Sequence, residues 1–107
     1  MAHIELDQTD AGRSRPAAPG DAITLELDEI PTSGYRWELN GYDPSVLEPD
    51  GDDFSPATDG RLGGGGTRRF RFQVVRSGTS QLKFVRRRAW DPRGAVETFE
   101  TTIEVTS

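Results

Sequence analysis

Covalent catalysis needs a nucleophile beside a tuned base, and this sequence supplies almost none of the parts. It has no cysteine, and its one histidine, His3, stands near the N-terminus. Without a positioned imidazole or a thiolate, no Ser-His-Asp or Cys-His arrangement can be assembled. Cysteine-based zinc sites are excluded by the same absence. Asp50, Asp52 and Asp53 crowd together, and a carboxylate pair can act as general acid and base. Here, however, they occupy the most polar stretch of the chain, where such residues ordinarily serve as solvated loop acids. The cluster also fails as a calcium loop, because an EF-hand opening at Asp50 needs Gly where Ser55 stands and Glu where Arg61 stands. The run Gly63, Gly64, Gly65, Gly66 followed by Thr67 lacks the lysine of a phosphate loop and leads into a strand pattern, not a helix. No enzyme activity and no cofactor is expected.

What remains are residue types suited to recognition. In 31–34, Pro31 pre-sets its own φ and Gly34 permits a conformation that other residues resist, so this short segment can be held rigid before it meets a partner. Between them, the hydroxyls of Thr32 and Ser33 can donate or accept hydrogen bonds. The glycines at 63, 65 and 66 allow a backbone to approach another surface closely, although a run of glycines is also what a flexible linker within a loop looks like. Arg88, Ala89 and Trp90 join a planar donor fork to a large apolar ring, types enriched at interface hot spots. Trp90 stands among charged and turn residues, with no apolar phase to place it inside. Tyr35 and Trp37 differ, since both fall on the apolar phase of a strand and are expected in the core, apart from the recognition loops.

Those segments need a frame, and the frame is written in a period of two. Ile23, Leu25 and Leu27 alternate with polar residues, as do Tyr35, Trp37 and Leu39; Phe70, Phe72 and Val74; Leu82 and Phe84; and Phe99, Thr101, Ile103 and Val105. A weaker opening strand is expected near Ile4 and Leu6. Turn-forming clusters separate these runs at 19–21, 31–34, 60–66, 77–78 and 91–94. One helical turn is expected at 43–47, where Asp43 can cap and Pro44 suits the first helical position. The stretch 48–66, rich in Asp and Gly, reads as a mobile polar loop. Together these signals predict an all-β, immunoglobulin-like β-sandwich of about seven or eight strands, formed by a single domain with its core roughly at 20–105.

At 107 residues the chain can bury one modest core, and its net charge of −5 does not favour nucleic acid. Arg68, Arg69, Arg71 and the run Arg86, Arg87, Arg88 are read as outward strand residues. No apolar run approaches the ~20 residues that span a bilayer, and residues 1–10 lack the pattern of a signal peptide. A monomer without nucleic-acid or membrane partners is expected, either cytoplasmic or the mature form of an exported protein.

Three segments, taken in order, resemble the chagasin-type inhibitors of cysteine peptidases. Pro31-Thr32-Ser33-Gly34-Tyr35 leading to Trp37 is similar to that family's Asn-Pro-Thr-Thr-Gly-Tyr/Phe loop and following Trp. Gly63-Gly64-Gly65-Gly66-Thr67 is similar to its Gly-x-Gly-Gly loop, and Arg88-Ala89-Trp90 to its Arg-Pro-Trp loop. The resemblance implies that the B–C, D–E and F–G loops of the sandwich form a wedge at one end. That wedge would fill the active-site cleft of a papain-like cysteine peptidase reversibly, without being processed as substrate. On this reading the peptidase-binding residues are Pro31, Thr32, Ser33, Gly34, Gly63, Gly64, Gly65, Gly66, Arg88, Ala89 and Trp90. Three departures from the family motifs matter: Ile30 replaces the Asn before the proline, Ala89 replaces the proline between Arg and Trp, and Ser33 replaces Thr mildly, since it keeps the hydroxyl. The rival expectation is an immunoglobulin-like module that uses the same loops to bind a partner other than a peptidase.

Overall fold

A pleated chain turns successive residues to opposite faces, so each run of period two forms a strand with one side to bury. The computed structural model describes residues 2–29, 35–56, 65–88 and 95–106. Within them the strands are β1 (His3–Leu6), β2 (Ser14–Ala17), β3 (Ala22–Glu29), β4 (Tyr35–Gly41), β5 (Leu47–Pro56), β6 (Gly66–Val74), β7 (Gly78–Arg88) and β8 (Ala95–Val105). They make two four-stranded sheets, ordered β1-β3-β6-β5 and β2-β8-β7-β4. The expected all-β sandwich is therefore present. Ile23, Leu25, Leu27, Phe70 and Phe72 from the first sheet and Trp37, Leu82, Phe84, Phe99 and Ile103 from the second are buried in one shared core. Phe84 sits at its centre, its ring 4.6 Å from that of Phe70 and 6.3 Å from those of Phe72 and Phe99. Aromatic pairs of this kind add about 0.5–1.5 kcal/mol beyond area burial.

Two strands escaped the periodicity argument, both at sheet edges. β2 buries only Ala17, and its Pro16 has no N–H to give a ladder, which suits an edge. β5 corrects the expectation of a mobile loop over 48–66: residues 47–56 pair with β6, and 57–64 lie outside the described residues. Its acids carry no apolar alternation because they face solvent and ion partners. Asp52 Oδ2 lies 3.1 Å from Arg68 Nη1, and the Asp53 carboxylate lies 3.6 Å from Arg69 and 3.3 Å from Arg71. These acids are thus strand residues paired with arginines of β6 rather than loop solubilisers. Charges along an edge also discourage pairing with another chain. The register shifts between Pro49 and Asp52, and Gly51, at φ +99°, takes the left-handed conformation there. The turn at 43–47 is present: the Val46 and Leu47 amides donate to Asp43 O at 3.0 Å, and Asp43 Oδ1 accepts from the Ser45 amide at 2.9 Å.

The N-terminal strand is fastened by Asp21, a buried carboxylate that accepts from the Ala2 amide at 2.8 Å and the Ala18 amide at 2.9 Å. Those two donors, Ala2 first, hold its pKa below the ordinary carboxylate value. Unfolded Asp21 takes up protons more readily than folded Asp21. Its stabilisation is therefore complete above the ordinary carboxylate pKa and is lost as pH falls through the lowered one. The thermal midpoint is expected to drop on acidification, and Asp21→Asn to lower it at neutral pH while flattening part of the acid slope. The flattening is partial because Thr9 and Ser45 lower Asp7 and Asp43 in the same way. An unchanged slope for Asp21→Asn would contradict the assignment.

Candidate functional site

Register decides which connections share an end of a sandwich. In the first sheet, Gly66 at the start of β6 pairs with both Glu29, the last residue of β3, and Pro56, the last of β5. In the second, Tyr35 at the start of β4 pairs with Arg88 at the end of β7, and Arg87 pairs with Ala95 at the start of β8. The connection from β3 to β4 crosses between the sheets, so the two rows meet. Both ends of all three connections, β3–β4, β5–β6 and β7–β8, therefore emerge at one end of the molecule. The backbone of Arg88 and residues Gly65 and Gly66 belong to this end. Pro31, Thr32, Ser33, Gly34, Gly63, Gly64, Ala89 and Trp90 lie outside the described residues.

Gly66 has a reason to be glycine inside the protein. A Cβ there would run into the Ser55 carbonyl and stand 2.7 Å from Phe54 Cζ and 2.8 Å from the Pro56 Cα. Close pairing with β5 leaves no room for a side chain. Approach to a partner is thus not the only demand on this glycine.

Beneath the strand ends the core gives way to a polar cluster. The Glu29 side chain is 0% exposed, yet it is fully partnered. Its Oε1 accepts from the Trp37 amide at 2.8 Å, and its Oε2 accepts from Arg68 Nε at 3.1 Å and Nη2 at 2.9 Å. Arg68 reaches on to Asp52 and lies over the Phe54 ring, 5.6 Å from its centroid. Burial opposes the charge on Arg68, but Glu29 first and Asp52 next outweigh it and hold its pKa above the ordinary value. Trp37, 4% exposed, gives its indole Nε1–H to Asp28 O at 2.8 Å. The Arg86 guanidinium stands 5.7 Å from the Trp37 ring and pairs with Glu97 at 2.7 Å. A buried carboxylate with three donors avoids much of the penalty that an unpaired one would carry.

Arg68 corrects the expectation of an outward strand residue, its side chain being only 18% exposed against Glu29, and Glu29 itself was missed by reading the loops alone, although a signal for both was there. Glu29 continues the inward phase of Ile23, Leu25 and Leu27, and Arg68 that of Phe70, Phe72 and Val74. Opposite charges on the core phase of two strands call for each other. Other strand arginines are paired as well, Arg69 with Glu26 at 3.0 Å and Arg87 with Glu38 at 3.0 Å. Among the described residues no group of His, Cys, Asp or Glu is placed to hold a metal ion, and no helix is long and apolar enough to cross a membrane.

Solved structures share this architecture. The cysteine protease inhibitor EhICP2 from Entamoeba histolytica aligns with a TM-score of 0.87 at 18% identity, over 98% of this chain and 96% of that one. Amebosin aligns at 0.80 with 23% identity, over 97% of this chain and 98% of its own. PbICP-C, solved in complex with falcipain-2, aligns at 0.74 with 13% identity, over 96% of this chain and 99% of its own. At such identities the likeness speaks to the fold. No curated protein matches in sequence. A family model does: that of the chagasin family peptidase inhibitors, I42, matches residues 17–105. Since that span takes in all three connections together with the strands that gather their ends, the chain belongs to the chagasin family of peptidase inhibitors and is not an enzyme.

Proposed function

We propose that this inhibitor occludes the active-site cleft of papain-like cysteine peptidases with the three connections at one end of its sandwich. Residues 31–34 enter the cleft nearest the catalytic cysteine, while 63–66 and 88–90 grip its sides. The convergence of all six strand ends at one end of the sandwich is the observation that carries this reading. An inhibitor that escapes cleavage must fill a cleft without settling a peptide bond into attack geometry. Loops tied at both ends to a folded body meet that demand better than a free peptide, because their ends are fixed before binding and the entropy loss on association is smaller. A relative solved in complex with falcipain-2 supports the partner class.

Titration of active papain with the purified protein tests the reading. Stoichiometric, reversible loss of activity is expected, with the inhibitor recovered uncleaved. Absence of inhibition at micromolar concentration would transfer the loops to a partner of another kind. Within the same assay, Gly65→Val is expected to raise the inhibition constant while leaving the thermal midpoint nearly unchanged, because a β-branched side chain prevents close backbone approach to the peptidase. Inhibition by Gly65→Val equal to wild type would reduce this glycine to part of a linker.

A further inference from the structure

The cluster, buried at Glu29 and Trp37 and partly exposed at Asp52, Arg86 and Glu97, touches strands on both sides of every one of the three connections. Glu29 precedes the β3–β4 connection and Trp37 follows it, joined through the Trp37 amide. Asp52 and Phe54 precede the β5–β6 connection and Arg68 follows it, joined by an ion pair and a ring contact. Arg86 precedes the β7–β8 connection and Glu97 follows it, joined at 2.7 Å. The three pairs are not separate, because Glu29 bonds Arg68 and Arg86 lies against Trp37.

We infer that Glu29 is a positioning residue for inhibition: through Arg68 and Trp37 it fixes the starting points of the three binding connections relative to one another. The inference rests on the proposed three-connection binding end. Its physical basis is directional. An apolar pair of similar volume would hold β3 and β6 together about as well as the ion pair does, since a buried ion pair gains little net stability over a hydrophobic replacement. Dispersion, however, tolerates sliding, whereas three hydrogen bonds to one carboxylate set distance and angle together. Glu29 is completely buried, so it presents nothing to a partner and acts only through the strands it joins.

The test replaces the pair by apolar residues, Glu29→Leu with Arg68→Met, beside the single isosteric change Glu29→Gln. The double variant is expected to stay folded, with a urea midpoint lowered by the Trp37 amide that loses its acceptor, and to raise the inhibition constant for papain by about tenfold or more under conditions where it is fully folded, as preorganisation is lost. In the free protein, amide resonances at Tyr35, Gly66 and Arg88 should shift together in both variants, while those of Leu25 and Ile103 stay in place. A folded variant that inhibits as well as wild type overturns the inference. So does a shift confined to Trp37 and Arg68, which would mark a local bond and nothing more. If the double variant does not fold, Glu29→Gln decides by the same two readouts. If wild type inhibits no papain-like peptidase, the proposed function fails, and the amide shifts still decide whether Glu29 coordinates the three strand ends.

Discussion

Trp37→Ala is expected to lower the free energy of unfolding by about 3–5 kcal/mol, the range for emptying a large aromatic site in a packed core. The ring is 4% exposed and lies where the two sheets meet the polar cluster. Alanine would leave a cavity, strand the Asp28 carbonyl that now accepts the indole N–H at 2.8 Å, and remove the face against which Arg86 rests. Trp37→Phe separates these effects. It keeps most of the apolar volume and loses the hydrogen bond, at a cost of about 1 kcal/mol plus some packing. Urea unfolding with the slope monitored checks both, and an unchanged midpoint for Trp37→Ala would contradict its place in the core. From the sequence this residue reads as core apart from the recognition loops. The structure keeps it in the core and also ties its backbone amide to the residue that precedes the first connection. Some loss of inhibition beyond the unfolded fraction is therefore expected even under conditions where the variant remains folded.

Trp90→Ala is expected to raise the inhibition constant about 30-fold or more, because an aromatic anchor at the centre of an interface commonly contributes more than about 2 kcal/mol. The expectation rests on sequence: Trp90 has no apolar phase that would carry it into the core, and it occupies the place of the family's loop tryptophan. Its thermal midpoint should stay close to that of wild type, in contrast with Trp37→Ala, so the two tryptophans test opposite halves of the same reading. Ala89→Pro, which restores the family residue, is expected to leave affinity equal or better by stiffening the segment, provided Arg88 accepts the extended backbone that a following proline demands. Inhibition of a papain-like peptidase measures all three proteins, with circular dichroism as the folding control. Equal inhibition by wild type and Trp90→Ala would remove the anchor from the binding surface.

The amino-acid sequence by itself determined the fold class, most of the strands, the absence of a catalytic constellation and the three segments that carry the family resemblance. Each of these is a local property. Alternation shows within five residues at Ile23–Leu27 or Phe70–Val74 because the pleat repeats every two, and a turn announces itself through the Pro and Gly that form it. β2 and β5 stayed hidden because an edge strand needs only one partner and little apolar surface: Ala17 suffices for one, and the acids of the other answer arginines on β6. The cluster under the end where the three connections emerge belongs wholly to the tertiary structure. Glu29 and Arg68 are 39 residues apart, and only the antiparallel register of β3 with β6 brings a carboxylate and a guanidinium to the same buried place. Side-chain type shows that two charges lie on inward phases; pairing between distant strands decides that they meet, and that their meeting point lies beneath all three connections at once.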